Sequence, residues 1–263
     1  MKKHFIFFIF LTLFSFQEIK AQSDTLIEAP VLLDAREQTS VETAIKDSTG
    51  QQEALTCGLA GGELLKEHHN SIKASGFIPP ASLMLYALTI KGSSGLYSSK
   101  NIRTDMRSTF PDFHTPVDNY LQFVPLVSAY VTGFIPGTKP RHSNGRRLWM
   151  FVQAQVLTSV ATLALKHYTN ELRPNGSDYL SFPSGHTAQA FMGAALFDAE
   201  YPGQLKGLKI GMYTLAGLTG MFAMMNDRHW ANDVLFGAGV GILSVRLLYW
   251  SEQHWKKKKN VPK

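Results

Sequence analysis

Three short segments of this chain gather cations, imidazoles and a carboxylate at the edges of apolar runs: Lys166 to Arg173-Pro174, then Pro183-Ser184-Gly185-His186, then His229 to Asp233. Lys166 and Arg173 are seven positions apart. If the residues between them stay helical, two turns bring both cations onto one face, where they could clamp one phosphate. Pro174 disfavours helix at Arg173, so the helix is expected to end there and the guanidinium to lean into a loop. Ser184 stands where a helix N-cap belongs, just ahead of an apolar run. The free amides and positive helix end behind it suit an anion, Gly185 permits close backbone approach, and the Ser184 hydroxyl can donate. His229 and Asp233, four apart, are expected on one helical face, with the carboxylate bonded to one ring nitrogen and the other left nucleophilic. Singly, these segments read as snorkelling cations, a capped helix and a surface contact. Jointly they read as phosphate chemistry carried by side chains. With no His-Glu-x-x-His, no cysteine pair and no Asp-rich loop, neither a metal nor a cofactor is expected.

The order and spacing resemble the type 2 phosphatidic acid phosphatase and vanadium haloperoxidase superfamily. Its signatures are Lys, six residues, Arg-Pro; then Pro-Ser-Gly-His; then a segment ending in His, three residues, Asp. The resemblance covers residues 110 to 250. It implies that His229 attacks phosphorus in line to form a phosphohistidine, that Asp233 orients and charges it, and that His186 protonates the leaving alkoxide. Lys166, Arg173, Ser184 and Gly185 would hold the phosphate. The third signature is incomplete, because the Arg that the family places six residues before the His is here Ala223. Arg228 directly precedes His229, but neighbours in a helix point about 100° apart, so whether it replaces the missing Arg is left open. Losing one charge-assisted partner of a transition-state oxygen costs roughly two to three decades in rate. The expected activity is that of a metal-independent phosphatase of a lipid phosphate or pyrophosphate; the alternatives are a weakened relative that binds phospholipid headgroups and a vanadate-dependent haloperoxidase.

The elements that must position these residues are helices. Residues 1–21 pair a basic start, Met1-Lys2-Lys3-His4, with the apolar run from Phe5 to Phe16, and Ala21 follows. This is the organisation of a secretory signal, or of an uncleaved anchor. Residues 22–75 are polar and of mixed charge without a sustained period, and read as a flexible exported lead segment. From residue 76 to 255 the composition changes. Apolar runs occupy 77 to 90, 119 to 136, 148 to 165, 187 to 197, 210 to 225 and 232 to 250, and few segments alternate as strands do. The expected fold is all-α, a membrane-associated bundle of about five to six helices forming a phosphatase-like domain, with a soluble bundle as the alternative. Gly237, Gly239 and Gly241 follow no strand and read as sites of close helix packing.

The net charge of +6 raises nucleic acid as a partner, but the basic residues concentrate in short loops and in the tail 256–263. Nucleic acid is therefore not expected, and membrane and lipid phosphate are. Lys139, Arg141, Arg146 and Arg147, then Lys206 and Lys209, then the lysine tail would all face the cytoplasm. With five spans, the three signature segments then fall on the other side, at the periplasmic face of a bacterial inner membrane. The lone Cys57 forms no internal disulfide, so stability must come from core packing or lipid.

Overall fold

The computed structural model describes residues 74–91 and 98–259. The signal at 1–21, Cys57, nearly all of the lead segment 22–75 and the side chains of the tail 256–263 lie outside the described residues. Among the described residues every regular element is helical. In chain order these are α1 (Ile78–Thr89), α2 (Ser99–Thr109), α3 (Val117–Leu121), α4 (Val124–Val131), α5 (Asn144–Thr169), α6 (Gly185–Glu200), α7 (Lys206–Met225) and α8 (Ala231–Lys259).

α6 is the axis of the bundle. Its small residues Ala188, Ala190, Gly193, Ala194 and Ala195 are buried, as are Met192, Leu196 and Phe197, and α4, α5, α7 and α8 pack around it. Small side chains let neighbouring backbones approach closely. A Cβ on Gly241 would lie 2.2 Å from the Ala188 carbonyl oxygen, and one on Gly237 would lie 2.5 Å from that of Ser184. Gly239, on the opposite face of α8, meets Pro80 and Met84 of α1. The glycine triplet is therefore a two-sided packing surface that locks α8 between α6 and α1.

Helices α5, α7 and the part of α8 from Ala231 to Trp255 are long and apolar enough to cross a membrane. The 16-residue α6 spans about 24 Å, short of the roughly 30 Å hydrocarbon layer, but protein rather than lipid surrounds it. The run 119 to 136 is not one span: it divides into α3, α4 and a 3₁₀ turn at Thr132–Phe134, with Pro125 in the first turn of α4. Arg147 also departs from expectation. It is wholly buried inside α5, where its guanidinium donates to the Tyr130 carbonyl at 3.1 Å and to Asn144 Oδ1 at 3.1 Å. Gly133 makes room for it, since a Cβ there would lie 1.7 Å from Arg147 Nη1. The amphipathic α2 has no apolar run to announce it; Ser98 caps it by accepting from Asn101 N.

α5 and α7 run toward one end of the bundle, and α6 and α8 run away from it. Consequently Lys166, Ser184, Ala223 and Asp233 share that end. The opposite end is closed by Asp198 with Lys209 and Arg246, and by His142 between Glu200 and Glu252.

The glycine contacts give a direct test of this packing. Gly241→Ala is expected to lose about 1–3 kcal/mol through overpacking and to lower the thermal unfolding midpoint in detergent. Gly211→Ala, where an added Cβ meets nothing within 4 Å, is expected to hold or raise it.

Candidate active site

Lys166 lies in the last turn of α5, which ends at Thr169 because Asn170 adopts a left-handed conformation (φ 47°) and returns its amide to the Lys166 carbonyl at 3.0 Å. The helix therefore stops short of Arg173, and the two cations do not share a helical face as the spacing alone would have it. Each is held by the loop after α5 instead. The buried Lys166 Nζ donates to the Leu180 carbonyl at 2.6 Å. Arg173 is held by Asp178, whose Oδ1 accepts from Nε at 2.8 Å and whose carbonyl accepts the Arg173 amide at 2.9 Å.

At the start of α6, Ser184 is the N-cap: its Oγ accepts from the Thr187 amide at 3.4 Å and lies 2.9 Å from Thr187 Oγ1. The Ser184 amide donates to the Asp233 carbonyl at 3.0 Å, so the first turns of α6 and α8 are joined directly. Gly185 opens α6 and His186 follows in its first turn, half-buried.

The third segment differs most from a continuous helix. α7 ends at Met225, Asp227 turns the chain with φ 57°, and α8 begins only at Ala231. His229 and Asp233 thus flank a helix start rather than lying on one helical face. Asp233 is the third residue of α8, and its Oδ2 accepts from the Trp230 amide at 2.9 Å, the return half of a capping box. The same Oδ2 accepts from Ser181 Oγ at 2.5 Å, while Oδ1 accepts from Asn232 Nδ2 at 2.9 Å. His229 Nδ1 is 3.5 Å from Asp233 Oδ2. On the other edge of the ring, His229 Nε2 is 3.4 Å from Arg173 Nη1. A guanidinium only donates, so Nε2 presents its lone pair to it and the ring proton sits on Nδ1, facing Asp233.

Electrostatics agree with a neutral ring. Burial, reinforced by the positive charges of Lys166 and Arg173, holds the His229 imidazole well below its ordinary value of 6.5, so the ring is neutral at neutral pH. Burial, reinforced by the positive charges of Arg228, Lys166 and Arg173, holds His186 down at about 3. The two histidines therefore face a field made by the same three cations, Lys166, Arg173 and Arg228, although these come from two segments distant in sequence. A phosphate dianion entering that field would offset it at both rings and favour a proton on His186.

Several neighbours escaped the sequence reading. Arg103 of α2 grips Asp227 in two bonds of 2.6 and 2.7 Å and lies over the Trp230 ring. Ser99 Oγ accepts from the Asn232 amide at 3.1 Å. Asp118 and Asn119 of α3 each accept from Arg228 Nη1 at 3.2 Å. The one local signal was Asn226-Asp227, a pair that tolerates left-handed backbone and ends helices.

Residues 147–257 match the sequence model of the PAP2 superfamily. A lipid A 1-phosphatase from Porphyromonas gingivalis is 41% identical over 152 residues, which cover 57% of this chain and 34% of that protein. The chain thus spans about a third of the length of this curated relative. Among solved structures, Aquifex aeolicus LpxE aligns with a TM-score of 0.42 and 22% identity, covering 55% of this chain and 92% of that one. A PAP2-type phosphatidylglycerolphosphate phosphatase from Bacillus subtilis aligns with a TM-score of 0.46 and 20% identity, covering 68% and 96%. Over residues 147–257, therefore, the chain is similar to the PAP2 superfamily.

Proposed function

We propose that this protein is a metal-independent phosphatase that hydrolyses a lipid phosphate or pyrophosphate through a phosphohistidine, at the periplasmic face of a bacterial inner membrane. The observation that carries the reading is the approach of His229 Nε2 to Arg173 Nη1. A nucleophilic lone pair and a phosphate-binding cation then converge on one point beside the capped end of α6. His229 Nε2 attacks phosphorus while the bond to the lipid oxygen breaks, and His186, protonated in the presence of the phosphate charge, passes its proton to the leaving oxygen. Water then cleaves the phosphorus–nitrogen bond, with His186 as base, and phosphate departs. Lys166, Arg173, Arg228 and the Ser184-Gly185 turn would hold the non-bridging oxygens, and Asp233 would stabilise the imidazolium that forms.

The relative named as a lipid A 1-phosphatase supports a lipid-borne phosphate as substrate and makes a phosphorylated glycolipid the first to test. The three membrane-length helices support a substrate delivered at a bilayer surface. Sidedness rests on charge: Lys139, Arg141, Arg146, Lys206 and Lys209 all lie toward the end of the bundle remote from His229, the side that the positive-inside rule assigns to the cytoplasm.

Phosphate release from a lipid phosphate panel should survive a chelator and be lost in His229→Ala, whereas His186→Ala should retain phosphoenzyme formation on substrates with a good leaving group. Loss of activity in chelator, restored by a divalent metal, would remove the mechanism. The depressed His229 value gives a pH test: an ordinary histidine is about three-quarters protonated at pH 6, whereas the His229 ring should remain neutral there. Ring-labelled NMR, with the signal assigned by its loss in His229→Ala, reads this directly. For sidedness, an export-dependent reporter fused after Gly176 and a cytoplasm-active reporter at the C-terminus should both work; the inverse pattern would reverse the topology.

A further inference from the structure

We propose that Asp118 is a positioning residue for Arg228, and that through it Arg228 becomes the third phosphate cation in place of the side chain missing at position 223; the inference rests on the phosphatase reading above. The backbone makes the replacement possible. Past the end of α7 three amides fold back onto the last turn: Asn226 N to the Phe222 carbonyl at 2.8 Å, Asp227 N to that of Met224 at 2.9 Å, and Arg228 N to that of Ala223 at 3.1 Å. Arg228 is therefore tied to the very residue whose methyl stands where the family carries a guanidinium. Because residues 226–230 are not helical, the 100° offset between helical neighbours does not apply.

A long side chain on a turn must still be aimed, and α3 does this. Asp118 is wholly buried, and its two oxygens divide the work: Oδ2 accepts from Arg228 Nη1 at 3.2 Å, and Oδ1 from Asn226 Nδ2 at 3.1 Å. Asn119 Oδ1 accepts from the same Nη1 at 3.2 Å. Asn226 also exchanges two bonds with the Thr115 backbone, at 2.9 and 2.8 Å, fastening residues 115–119 to the turn. Both holds on Arg228 use Nη1, one of three nitrogens in a rigid planar fork, so fixing that edge fixes the direction of the others. Arg173 is handled the same way, with Nε on Asp178 and Nη1 at His229. The charge of Arg228 acts on both His186 and His229, as a cation at the reacting pair must.

A double-mutant cycle in the full chain tests this, read by kcat/KM on a lipid phosphate and by the affinity for orthovanadate, a phosphate-shaped anion. Arg228→Ala should lower kcat/KM about a hundredfold, and Asp118→Asn roughly tenfold or more. In the Arg228→Ala background, Asp118→Asn should cost nothing further, because its effect passes through the cation. A merely structural Asp118 would cost as much in either background. Asn119→Ala leaves the buried carboxylate intact, should show a smaller loss with the same coupling, and carries the test if Asp118→Asn does not fold. Multiplying losses, or an Arg228→Ala variant unchanged in both readouts, would overturn the proposal. Coupled vanadate affinities in a parent that releases no phosphate from any lipid would overturn the phosphatase reading and keep the Asp118–Arg228 hold. A parent that neither releases phosphate nor binds vanadate would overturn both.

Discussion

The arrangement depends on how closely α8 approaches α6. At Gly237 and Gly241 the α8 backbone is within a side chain's width of the Ser184 and Ala188 carbonyls, so any Cβ would push the helices apart. That proximity lets the Ser184 amide reach the Asp233 carbonyl and sets the capped start of α6 beside the turn that carries His229. The geometry of the candidate site is a packing result before it is an electrostatic one. A gap of one ångström opened along α8 would separate His229 from the capped start of α6, and in a phosphatase displacements of that size cost orders of magnitude in rate.

Around this contact, the charged groups are held from behind. Arg173 leans on Asp178, Arg228 on Asp118 and Asn119, Lys166 on the Leu180 carbonyl, and Asp233 on Ser181, Trp230 and Asn232. For Arg173 the division is direct, with Nε held by Asp178 while Nη1 lies beside His229 Nε2. Rigid holding of this kind means little reorganisation is needed as charge develops, which is where preorganised sites gain most. The cost is paid in burial, and it falls on residues such as Asp118 that touch nothing reactive.

The apolar runs, the Ser184 cap and the packing role of the glycines were legible because each follows from local periodicity or local backbone chemistry. What was not legible depended on single left-handed residues and on contacts distant in sequence. Asn170 ends α5 and removes the shared face of Lys166 and Arg173; Asp227 ends the continuity that would have put His229 and Asp233 on one helix. Arg147 sits in a basic loop by composition, yet the space beneath Gly133 draws it into the core. Helix α2 and the residues Asp118 and Asn119 carry no motif, and their role appears only once α7 and α8 are in place to receive them.

The contacts that complete the site are long in sequence: Asp118 to Arg228 spans 110 residues, Arg103 to Asp227 spans 124, and Ser99 to Asn232 spans 133. The N-terminal members of these pairs leave the ribosome first. At ordinary synthesis rates they wait roughly 5 to 25 s for their partners. During that interval a carboxylate bound for a wholly buried position and a basic helix must stay in contact with water, so residues 98–121 cannot bury themselves early. Their partners, Asp227 and Arg228, come only with the turn between α7 and α8.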